Sequence, residues 1–121
     1  MTITTPLDQM IDAYIQCALW ASNDDAGTPL DVNFTVDDLS PDALARMQDD
    51  CRAFYIKSGS RNLFDAETPE QMGHDLWLTR NHHGAGFWDR GLGVTGERLS
   101  ELAHSMGEQS LEIGDDKIWI Q

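Results

Sequence analysis

Lysine is almost missing from this chain. Lys57 and Lys117 are its two copies in 121 residues, and with the arginines they make 8 bases against 21 acids. The resulting net charge of −13 is repelled by polyanions, which disfavours direct binding of DNA or RNA and attachment to an anionic membrane. Cysteine is scarce as well. Cys17 and Cys51 each sit in an amphipathic pattern, which reads as two buried thiols, not a disulfide. No further Cys or His lies close to them, so the usual zinc spacings are excluded. No apolar run approaches the roughly 18 residues that span a bilayer, and Met1 to Asp12 has no basic residue and no signal-peptide layout. A phosphate-binding loop, a dinucleotide fingerprint and a Gly-x-Ser-x-Gly elbow are all absent. What remains is a soluble, cytoplasmic protein with no expected metal or cofactor.

The residues present are enough for a core. Apolar residues make up 40%, with four Trp, four Phe and two Tyr, and the length fits a single domain over 1–121. The acids are not confined to a tail. Residues 1–60 carry 10 acids and 3 bases, and residues 61–121 carry 11 and 5. A folded body therefore bears the charge and its self-repulsion.

Helical starts are legible at three places. Thr5-Pro6, Ser40-Pro41 and Thr68-Pro69 each pair a good N-cap with proline at the first helical position. After the first, Leu7, Met10, Ile11, Tyr14, Ile15, Ala18 and Leu19 recur at helical spacing up to about Ser22. Residues 23–39 read as a long acidic loop pinned by Val32, Phe34, Val36 and Leu39. The second helix runs from about Pro41 to Ser58, stopped by Gly59, with Asp49 and Asp50 facing outward. The third is short, about two turns. From Leu76 to Arg80 the pattern fits helix or strand, and strand is the reading taken. Asn81 to Gly86 would then be a hairpin loop and Phe87 to Asp89 the return strand. A fourth helix covers about Thr95 to Met106 and ends at Gly107. Ser110–Ile113 and Lys117–Ile120 flank Gly114-Asp115-Asp116 as a second hairpin. The expected class is α+β, about four helices with a small antiparallel sheet built from two hairpins.

The densest chemistry lies between Gly73 and Gly91. On the hairpin reading, His82 and His83 sit at its tip. One could act as base with Arg80 or Arg90 steadying a phosphate, which would make a small phosphoesterase-like or nuclease-like enzyme. The competing reading is structural, with Trp77 and Trp88 as core anchors and Asp75, Arg80, Asp89 and Arg90 as ion pairs. Cys17 with His74 or His104 is a poor nucleophile pair, because Cys17 falls on the apolar face. Four acidic pairs, at 24–25, 37–38, 49–50 and 115–116, lack the alternation and closing Glu of a calcium loop. Asp24, Asp25, Asp31, Asp37, Asp38, Asp49 and Asp50 could instead gather into a field that imitates phosphates. A merely solvated acidic face is the plain alternative.

The run Gly73-His74-Asp75-Leu76-Trp77-Leu78-Thr79-Arg80-Asn81-His82-His83-Gly84-Ala85-Gly86-Phe87-Trp88-Asp89-Arg90-Gly91 resembles a family of small acidic proteins encoded by phages and prophages. The Gly114-Asp115-Asp116 hairpin extends that resemblance, and Phe34 to Ser40 carries it more loosely. Such proteins are similar in character to anti-CRISPR and antirestriction inhibitors. The resemblance implies action in the host bacterial cytoplasm and a bacterial defence complex, such as a CRISPR effector, as protein partner. It implies no catalytic residue. The expected partner-binding set is the seven aspartates above with His82, His83 and Trp88. An acidic structural phage protein is the remaining alternative.

Overall fold

All three hydroxyl–proline pairs open helices in the computed structural model, which describes residues 5–60 and 63–120. Helix α1 spans Pro6–Ala21. Thr5 caps it by accepting from Asp8 N at 3.1 Å, and Asp8 returns the bond to Thr5 N at 3.2 Å. Such a cap contributes about 1 kcal/mol. Helix α2 spans Pro41–Ser60, two residues past the expected stop, with Ser40 Oγ accepting from Ala43 N at 3.0 Å. Helix α3 spans Pro69–Arg80, with Thr68 bonded to Gln71 N. Helix α4 spans Val94–Ser105, and Gly107 follows it at φ +79°.

The acidic loop is ordered by its own short contacts. It folds into two 3-10 turns, Leu30–Val32 and Val36–Asp38. Leu30 N donates to Ser22 O at 2.8 Å, and Leu30 and Leu39 are buried. Ser40 N donates to Ile118 O at 2.8 Å, which lashes the end of the loop to the sheet.

That sheet is one hairpin. Strands β1 (Leu111–Gly114) and β2 (Lys117–Ile120) pair antiparallel, with Leu111 opposite Ile120 and Gly114 opposite Lys117. Asp115 and Asp116 both take positive φ, 53° and 60°, as the two-residue turn of a right-twisted hairpin requires.

The expected first hairpin is not there. Residues 76–80 continue α3, and Phe87–Asp89 is a 3-10 turn. Burial is the reason. Every residue from Asp75 to Arg80 is buried, because α3 runs through the middle of the fold, against α1 along most of its length and against α4 and the 3-10 turn. A helix buried on all sides shows no apolar stripe, so its period is invisible in the sequence. Gly73, which reads as a break, is instead where α3 presses on α1. A Cβ there would collide with the Met10 carbonyl oxygen.

The core joins these pieces. Phe54 of α2 stacks on Phe87 at 5.6 Å and 7°. Tyr14 of α1 meets Trp77 of α3 edge-on at 5.5 Å. Cys17 and Cys51 are buried free thiols. Burial first, and Asp75 second, push Cys17 up to about 12, so neither geometry nor acidity favours a nucleophilic role. Trp77 is a core anchor as expected, whereas Trp88 is 57% exposed. No described helix is long and apolar enough to cross a membrane.

Candidate functional site

The expected partner-binding residues divide by what holds them. Asp24 Oδ1 accepts from Ala26 N and Thr28 N, both at 2.9 Å, and so shapes its own turn. Asp38 accepts from Thr35 N at 2.8 Å in a capping box. Neither bond removes the negative charge. Asp25, Asp31 and Asp37 are exposed. Among the described residues, none of these five loop aspartates has an ion-pair partner. Asp24 and Asp25 border a cleft of about 600 Å³ against β1, while Asp31 lines a different groove.

Helix α2 behaves differently. Asp49 pairs with Arg52 at 2.8 Å on the surface. Asp50, expected to face outward, is half-buried and pairs with Arg80 at 2.9 Å. In the orientation of its amide that satisfies both neighbours, Gln109 adds a bond to Asp50 Oδ2 at 3.0 Å and accepts from Arg46 Nε at 3.0 Å. Asp49 and Asp50 on α2 thus have local cations, which the five loop aspartates lack among the described residues.

Arg80 is no phosphate clamp either. It is 3% exposed. Nη1 donates to Tyr14 Oη and Asp50 Oδ2, Nε to Gly107 O and Nη2 to Met106 O, all within 3.0 Å. His82, at φ +57°, stacks its ring on His104 at 4.6 Å and lies 3.6 Å from Glu108. His83 is exposed beside it. No described hydrogen bond or ring contact joins either histidine to Trp88.

No protein-family model matches this chain, and no curated protein or solved structure matches it.

The most constructed cluster lies elsewhere, around Asp75. This carboxylate is fully buried on α3. Arg90 reaches in from the surface, with Nη2 at 2.8 Å and Nε at 3.2 Å, and Gln71 Nε2 donates at 2.9 Å. His74 Nδ1 is buried 3.7 Å away and bonds nothing. Glu67 Oε1 is also buried without a partner, although its carboxyl lies against Asp75. Two carboxyl groups in contact cannot both ionise cheaply. Burial first, and Asp75 second, push Glu67 up to about 8. Below that value Glu67 keeps its proton beside the Asp75 carboxylate.

Above this cluster, α1 and α3 enclose a groove of about 610 Å³. Trp20 borders it from α1, Glu70, Gln71 and His74 from α3, Asp31 from the loop and Arg90 from the segment before α4. Trp20 is 57% exposed and its indole lies 6.0 Å from the His74 imidazole, tilted by 31°. Sequence reasoning did not single out this groove. One signal was available: Trp20 falls off the apolar face made by Tyr14, Ile15, Ala18 and Leu19, which leaves a tryptophan without a core to enter. Among the described residues, no group of three or more His, Cys, Asp or Glu side chains is arranged to hold a metal ion.

Proposed function

We propose that this protein is an inhibitor that binds a cationic protein surface, with the acidic loop as its working face. By the resemblance noted above, the target is a nucleic-acid-handling bacterial defence complex, with a CRISPR effector as first candidate. The loop would occupy a groove that otherwise holds phosphates. One observation carries this reading: Asp24, Asp25, Asp31, Asp37 and Asp38 are held on a folded, bonded loop and lack ion-pair partners among the described residues. Preordered charge costs less entropy on binding than charge on a floppy tail. It also gives fast, steered association with a basic partner. Val32, 64% exposed between these aspartates, supplies an apolar contact at the same place.

Relative to the sequence expectation, the working face is narrower. Asp49 and Asp50 contribute less, because Arg52 and Arg80 already answer them. His82, His83 and Trp88 are exposed and would act as separate contacts, not as part of the acidic face.

The test is binding to a purified CRISPR effector complex, with target DNA as competitor, at about 50 mM and about 200 mM salt. The expected result is competition with DNA, and affinity that falls steeply with salt. Asp25→Lys with Asp37→Lys should weaken binding about tenfold or more, while Glu97→Lys with Glu101→Lys on α4 should not. Equal loss from both pairs would mean that net charge alone matters. Binding indifferent to salt and to the loop pair would end the proposal.

A further inference from the structure

We infer that the groove between α1 and α3 receives an arginine side chain of the basic partner; this deepens the reading above and rests on it. Trp20 presents an indole to solvent and is propped from one side by the His74 ring. A tryptophan held at the mouth of a groove offers a π-face to a cation. Asp31 and Glu70 line the same groove, and neither has an ion-pair partner among the described residues. Arg90 also lines it, but its charge is answered by Asp75 at 2.8 Å and Asp89 at 3.8 Å. The uncompensated charge facing the groove is therefore negative.

These walls select among occupants. An anionic ligand would meet two carboxylates. A neutral aromatic would stack on Trp20 but leave Asp31 and Glu70 desolvated without a partner. A cation satisfies both the indole and the carboxylates. Guanidinium does so better than ammonium, since its plane lies flat on an indole while its N–H fork meets a carboxylate. The volume of about 610 Å³ exceeds what one side chain fills, so its backbone and neighbours can enter too.

The test follows the indole N–H resonance of Trp20, assigned by its disappearance in Trp20→Leu, during titration by NMR. N-acetyl-arginine methylamide is the probe. The lysine analogue and the citrulline analogue, which has arginine's shape without its charge, are the comparisons. A saturable shift with arginine, a weaker one with lysine and none with citrulline is expected. Asp31→Asn with Glu70→Gln should weaken the arginine probe roughly tenfold. Trp20 is exposed, so Trp20→Leu should keep the fold, checked by circular dichroism, and lower affinity for the effector complex about as much. An unmoved Trp20 resonance, or citrulline binding as well as arginine, overturns the inference. If the probe binds but no cationic complex does, the groove assignment stands and the proposed function falls. If the complex binds Trp20→Leu undiminished and the probe does not bind, the reverse holds.

Discussion

Asp50 of α2 and Arg80 of α3 meet at 2.9 Å, thirty positions apart in sequence, and their contact ties four helices at one point. The same guanidinium bonds Tyr14 on α1 and the carbonyls of Met106 and Gly107 at the end of α4. A buried cation with four acceptors leaves all four desolvated when it is removed. Arg80→Met should therefore lower stability by about 3–5 kcal/mol, read as the shift in a denaturant midpoint at constant slope. Asp50→Asn should cost less, because Tyr14 and the two carbonyls still serve Arg80. A loss below about 1 kcal/mol for Arg80→Met would show that the pair is dispensable.

Gly73 makes a second prediction. Its α-carbon faces the Met10 carbonyl of α1, and a Cβ would have to displace backbone, which cannot yield as a side chain can. Alanine is the better helix former at an ordinary position, by about 1 kcal/mol. Here the sign should reverse, with Gly73→Ala destabilising by about 3 kcal/mol through separation of α1 and α3. Gly59 has open space around it, so Gly59→Ala should be neutral or stabilising. Thermal melts of the two variants side by side decide the matter. A stabilised Gly73→Ala would mean that the two helices are not in close backbone contact.

The third prediction concerns pH. Glu67 is raised from 4.5 to about 8 in the folded chain, by burial first and Asp75 second. Between those two values the native state holds a proton that the unfolded state has lost. Stability from this group is full below about pH 4.5 and declines as pH rises through 8. Glu67→Gln keeps the shape and cannot ionise. It should flatten the decline, so the variant gains on the natural protein as pH rises from about 4.5 to about 8 and holds that gain above it. Melting curves from about pH 4 to about pH 9 test it, and parallel profiles for both proteins would rule out a raised Glu67 in the folded chain.

Much of the helical frame was legible because its signals are local. A threonine or serine before a proline reports its own backbone, and all three such pairs became helix starts. The hairpin at 111–120 was legible for the same reason, since the turn at Asp115-Asp116 is set by neighbours. Leu76 to Arg80 was misread because side-chain spacing reports burial, and a segment buried on all sides offers no contrast. Asp50 was misplaced by a helical wheel that could not know of Arg80. Trp20 off the apolar face of α1 hinted at a surface role, but the groove itself was not legible because its walls come from residues 13 to 90.

By itself the sequence determined the charge, the places where helices begin, the closing hairpin and the free state of two thiols. Tertiary structure alone decided which carboxylates keep their field. It answered Asp50 and Asp75 with arginines from distant segments, whereas Asp49 meets Arg52 within its own helix, and it left the loop aspartates without ion-pair partners among the described residues. The physical reason is that capping and turn geometry are set within a few bonds. Charge compensation depends on groups brought within about 4 Å by packing, and packing is settled only when the whole chain has closed.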